Sequence, residues 1–292
     1  MSGSVPAPHD PDATDGSRPS QGPRAWWWLL VAVTAIALVT FLVAQPWTPV
    51  ETEPSPTVTS VPTASVPAVP SATPSVSVEP PGADAMFDAS TAPGLFVTES
   101  DLVADVPAAS SGVEPRIVAG SLPWGLTDGA QVEPDSCALA VTVVATPPTW
   151  FDARSWFNDA MEFQQEVVLL PDPAAARDAF RELVTTVDAC PEYTYAAPDF
   201  EGAQVTADPA IEGQGVYPSI VLQQSILVEG NAVPGYAGHM LVGNTIVSWT
   251  AQATAGTETD ADTDAALATL GDPESLSAMV QDRAQLAVRA LG

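Results

Sequence analysis

The chain has no lysine. Its eight basic side chains are all arginines, set against 36 Asp and Glu, and the 292 residues carry a formal net charge of −28. A surface of that sign repels phosphate backbones, so nucleic acid is excluded as a partner, and electrostatic adhesion to anionic lipid is disfavoured. Beside abundant Ala, Val and Pro, the missing lysine has the mundane reading of a GC-rich bacterial coding bias. Histidine is almost absent too, with only His9 and His239. No Gly-x-Ser-x-Gly elbow and no phosphate-cradling glycine loop occurs. Catalysis by Ser or Cys therefore lacks its usual signature, and His239 reads as an ordinary strand histidine. No cofactor and no metal are expected.

One apolar run dominates what is present. Trp26–Ala44 holds nineteen residues without charge, proline or glycine. As a helix it would be about 28 Å long, close to the hydrocarbon thickness of a bilayer. Arg18 and Arg24 precede it, and the next basic residue is Arg116. Lys/Arg excess marks the cytoplasmic flank, so the N-terminus should stay inside and the rest be exported. Trp26, Trp27, Trp28 and Trp47 sit where ring side chains favour the headgroup layer. A cleaved signal peptide is the competing reading. Against it, the run exceeds an h-region and no clean Ala-x-Ala site follows it. Both readings put the bulk of the chain outside.

The organisation that follows is a disordered cytoplasmic tail (1–25), a single-pass transmembrane helix (26–45), a linker (46–85) and an extracytoplasmic domain (86–292). The linker repeats Pro, Thr, Ser and Val irregularly, which cannot build a core and favours extended polyproline-like chain. At about 3 Å per residue it could lift a domain on the order of 100 Å into the cell-wall zone. Beyond the tail, 33 acidic residues face six arginines. Cys137 and Cys190 both fall in this exported part. In an oxidising space an even count reads as a disulfide before it reads as metal binding or catalysis.

Within the domain, a helix capped by Thr98 or Ser100 comes first, then a loop-rich stretch over Ser110–Ser136. The β-branched run Ala138–Thr146 reads as a strand, as does Glu162–Leu170. Asp172-Pro173 caps a helix with Ala176, Phe180, Leu183, Val184 and Val187 on one face, ending at Cys190. A mixed loop spans Glu192–Gly215. Strands follow over 219–229, 236–242 and 245–253, the last two joined by the hairpin turn Gly243-Asn244. Pro273–Ala290 is a final helix capped by Asp272. Hairpins with separate helices imply an α+β domain, an antiparallel sheet flanked by helices.

Three stretches carry a family likeness: Val132-Glu133-Pro134-Asp135-Ser136-Cys137; Glu166–Leu170 running through Asp172-Pro173-Ala174-Ala175-Ala176-Arg177 to Cys190; and the hairpin Val242–Val247. In order and spacing they resemble the extracytoplasmic sensor domains of PknH-type serine/threonine kinases of actinobacteria. The likeness spans roughly Leu95–Leu291, with one cysteine pair where that family often has two and with no kinase part before the apolar run. It implies a helix-flanked antiparallel sheet with a cleft for a wall-derived or small ligand.

Candidate sites are few. Thr257–Asp264 spaces its carboxylates like the start of a calcium loop, but Ala265 and Gly271 stand where that loop needs Gly and Glu. It reads as a solvated loop whose Thr263 or Asp264 caps the next helix. Glu162 and Glu166 precede a strand and give no support to glycosidase chemistry. The aromatics Trp150, Phe151, Trp156, Phe157, Tyr193, Tyr195 and Phe200 fit core anchors. Trp150, Trp156, Phe157, Tyr193 and Tyr195 are also the candidates to line a ligand cleft. The expected function is a membrane-anchored, non-catalytic sensor-like or ligand-binding module. Its partners would be the bilayer, through Trp26–Ala44, a cell-wall or small-molecule ligand, and another membrane protein. An envelope-assembly partner is the alternative, and a wall hydrolase a more remote one.

Overall fold

The computed structural model describes residues 80–198, 200–254 and 260–292, all within one compact unit, Thr73–Gly292. The expected tail, apolar run and nearly all of the linker lie outside the described residues. Among the described residues no helix is long and apolar enough to cross a membrane.

The strands are β1 (Glu114–Ile117), β2 (Gln131–Glu133), β3 (Trp150–Phe157), β4 (Met161–Leu169), β5 (Glu192–Ala197), β6 (Phe200–Ala207), β7 (Ile211–Glu212), β8 (Ser219–Val228), β9 (Asn231–Val242) and β10 (Thr245–Ala253). They form one ten-stranded sheet in the order β1-β3-β4-β10-β9-β8-β6-β5-β2, with β7 beside β8. Every pairing is antiparallel. The helices are α1 (Glu99–Asp105), α2 (Ala138–Thr142), α3 (Pro173–Ala189), α4 (Asp260–Leu270) and α5 (Pro273–Ala290). The fold is α+β, an antiparallel sheet flanked by helices.

Period-two alternation on the central strands sends their side chains to two different cores. Met161, Phe163, Val167 and Leu169 of β4 join Val247, Trp249 and Ala251 of β10 in the larger core. The segment Phe87–Val113 and the helices α4 and α5 cover that face. Val168, Ile246, Leu241, Ala237 and Leu222 point the other way, under α3 and α2. A third, small cluster surrounds the Cys137–Cys190 disulfide.

Local sequence explains the helix starts. Thr98 accepts from the Asp101 amide, and the Asp101 carboxylate accepts from the Thr98 amide, a reciprocal capping box. Asp172 and Asp272 cap α3 and α5, each followed by proline at the first helical position. Irregular chain is fastened by buried amides. Gln165 accepts from the Val97 amide (2.8 Å) and donates to the Leu95 carbonyl (3.0 Å). Gln281 accepts from the Val216 and Tyr217 amides. Each such side chain satisfies backbone groups that no strand or helix could pair.

The structure corrects four sequence-based expectations. Ala138–Thr142 is a short helix, not a strand. Its Leu139, with Val143 and Val144 just beyond, packs on Phe180, Leu183 and Val187 of α3. Tertiary packing of an i, i+4 pair outweighs the β-propensity of the valines. Val143 then takes a φ of +66°, which ends the helix. The mixed loop Glu192–Gly215 contains β5, β6 and β7. The aromatic doublets 150–157, expected to lie between the first two strands, form β3 outright. Finally, Thr263 and Asp264 lie inside α4, which starts at Asp260 and anchors Leu267 and Leu270 in the larger core. The start of the acidic stretch, 257–259, lies outside the described residues.

Candidate functional site

The sheet face beneath α2 and α3 is apolar over only part of its extent. Moving along β4 from Leu170 toward Glu162, the residues on this face turn from Val168 to Glu166, Gln164 and Glu162. The paired residues of β10 turn from Ile246 to Ser248, Thr250 and Gln252. α3 covers the apolar portion. The polar portion as far as Gln164 and Gln252 lies at the floor of a half-open cleft of about 260 Å³, and Glu162 lies beyond it, paired with Arg116.

Three walls complete it. Ala140, Val141 and Val143, at α2 and just past it, form one side. Val187 and Cys190, at the end of α3, form the second, with Tyr193 of β5 beside them. Leu222, Gln224 and Ile226 of β8 close the third. The disulfide holds two of these walls together, because Cys137 immediately precedes α2 and Cys190 caps α3 (Cα–Cα 5.7 Å). The bridge expected from cysteine count therefore also shapes the rim of the cleft.

Register places Glu166, Ser248 and His239 in one rung across β4, β10 and β9. His239 Nδ1 and Ser248 Oγ are 2.8 Å apart. Burial holds the imidazole down at about 4, so it stays neutral at ordinary pH. Glu166 is half-buried, and burial raises its pKa, opposed by a hydrogen bond from Gln164 Nε2 to Oε1 (2.9 Å). Burial also raises the Tyr193 phenol.

This rung is poor catalytic machinery. An imidazole so hard to protonate is a weak base toward Ser248. β10 is hydrogen-bonded on both sides, so no backbone N–H near Ser248 is left over to stabilise an oxyanion. Among the described residues, no group of three or more His, Cys, Asp or Glu is placed to hold a metal ion. The arrangement suits recognition of a molecule by amides, hydroxyls and one carboxyl.

The five aromatics singled out from the sequence are dispersed. Tyr193 lines the cleft. Tyr195 packs against the disulfide cluster. Trp156 lies in the larger core on the opposite face, its ring 6.3 Å from Phe163, and Trp150 packs against the same core. Phe157 sits at the far end of β3 beneath the Arg116 guanidinium, 4.8 Å from the ring centroid. Sequence reasoning did not single out Gln164, Ser248, Thr250, Gln252 and Gln224. A signal existed in the alternation of polar residues along otherwise apolar strands, but alternation alone cannot tell solvent from a cleft.

No family model matches the chain, and no curated protein sequence matches it. Solved structures do. The extracellular domain of PknH from Mycobacterium tuberculosis is similar over 70% of this chain and 99% of that one, at 14% identity and a TM-score of 0.49. An uncharacterised protein from Mycobacterium smegmatis is similar over 61% of this chain and 86% of that one, at 20% identity and a TM-score of 0.31.

Proposed function

We propose that this chain is a membrane-anchored extracytoplasmic module that binds a small ligand and does no chemistry on it. The observation that carries the reading is the cleft floor: a row of neutral amides and hydroxyls with one carboxyl, presented by rigid central strands. Such convergence of a few polar groups within apolar walls is the usual make-up of a ligand site. The anchor is Trp26–Ala44, with the amino end in the cytosol and the acidic domain held out on its proline-rich linker. On this reading a bound state is passed on through another membrane protein.

Native mass spectrometry of the gently purified full-length protein tests the reading. The expected result is an added mass released on unfolding and absent after substitution of Gln164 and Thr250 by the bulkier Phe. An added mass that persists with the cleft filled in this way would refute the assignment.

A further inference from the structure

The cleft has an unbalanced charge. Among the described residues that line it there is one carboxylate, Glu166, and no arginine. The cross-strand neighbours of Glu166 are Ser248 and Ala153, both uncharged. Its one described hydrogen bond, from Gln164, engages Oε1 and leaves Oε2 uncommitted. A partly desolvated carboxylate without a counter-charge is unfavourable, and the raised pKa of Glu166 has the same origin. The remaining polar groups of the lining, the neutral imidazole of His239 included, carry no positive charge and cannot offset it.

We propose that the cleft takes a small organic cation: an amine whose ammonium group sits against the Glu166 carboxylate and whose apolar body packs on Val141, Leu222 and Ile226. The inference rests on the cleft being a ligand site and names the class of ligand. Four observations converge. An incoming ammonium supplies the counter-charge that the fold withholds, and three N–H donors can be shared with the Thr250 hydroxyl and the side-chain carbonyls of the glutamines. An anion would meet Glu166 with no cation to compensate and is rejected. The net charge of −28 raises the local concentration of cations at any concave part of the surface. The volume of about 260 Å³ lies below the ~300–1,000 Å³ of sites for drug-sized ligands. A single ring or short chain fits, and an oligosaccharide does not.

The test uses matched probes differing in charge alone: cyclohexylamine against cyclohexanol, and benzylamine against benzyl alcohol. Each is titrated at neutral pH into the full-length chain in detergent micelles. Binding is followed by NMR of the valine, leucine and isoleucine methyls, of which Val141, Leu222 and Ile226 report from inside the cleft. Both amines should saturate these shifts at roughly tenfold or more lower concentration than their alcohols, the low end expected for a half-exposed charge contact. Glu166→Gln keeps the shape of the side chain and removes its charge, and should abolish that preference, so that each amine and its alcohol saturate at the same concentration. Equal binding of amine and alcohol by the wild type, or an amine preference that survives Glu166→Gln, overturns the cation assignment and leaves the cleft a ligand site. Shifts confined to methyls outside the cleft for every probe overturn both.

Discussion

Asn244 sits in the tight turn between β9 and β10 and is 2% exposed. Its side chain accepts from the Phe87 amide (2.8 Å) and donates to the carbonyls of Phe87 (3.1 Å) and Leu170 (3.0 Å). One amide thus fastens the entry of the domain to the sheet across 157 residues of sequence. Asn244→Ala strands three backbone groups at once. Each buried group left without a partner costs about 1–3 kcal/mol, but the three share one side chain and water will enter the vacated space. The expected loss is about 3 kcal/mol. The backbone bonds of Asn244 to Ala85 and Leu170 remain, so the turn itself survives and the side chain is isolated as the cause. Asn244→Asp should be at least as damaging at neutral pH, because a carboxylate would face two carbonyls. It should recover in part on acidification, when a protonated Asp can donate one hydrogen bond. Urea unfolding followed by tryptophan fluorescence measures both, and hydrogen exchange should show lost protection at Phe87. A cost below about 1 kcal/mol for Asn244→Ala would refute the view that this amide fastens the entry segment.

Three further outcomes follow from the same structure. Replacing both Cys137 and Cys190 by serine opens a loop closed across 53 residues and should cost about 4 kcal/mol in urea unfolding, with no such difference once the wild type is reduced. For His239, burial places the folded value at about 4 against 6.5 ordinarily, so the unfolded chain takes up the proton first as pH falls. Stability is complete above the higher value and is lost through that window, by about 2–3 kcal/mol near pH 4.5. Glu166 works in the opposite sense: its raised pKa gives stability present below the ordinary carboxyl range and lost as pH rises. His239→Gln should therefore flatten or invert the slope of urea-unfolding stability against pH, and an unchanged slope would count against the buried neutral imidazole. Lastly, protease added to intact cells should remove the domain and leave a short membrane-bound amino-terminal fragment. Survival of the carboxyl half would refute the proposed topology.

Much of the framework is written locally. Asp172-Pro173 and Asp272-Pro273 mark helix starts because the cap and the missing proline N–H solve a purely local hydrogen-bonding problem. Gly243-Asn244 marks the turn for an equally local reason: Gly243 has a φ of +56°, which favours glycine. The pairing of Cys137 with Cys190 needs only the count and an oxidising compartment. Ala138–Thr142 and β5–β7 resist such reading. Whether valines enter a strand or a helix depends on what packs against them, and half-exposed strands show little contrast between their two faces.

From its sequence alone the chain determines its acidic character, its α+β class, its cysteine pair and the ends of its major helices, since each depends on composition or on neighbours within a few residues. The cleft was decided only by the fold. His239 and Ser248 face each other across the β9–β10 hairpin, nine residues apart, but Glu166 comes from a distant strand and joins them only through the β4–β10 register, and the three line a cavity because α3 stops short of covering them. Register and helix reach are properties of the whole packed sheet, which no short window of residues encodes.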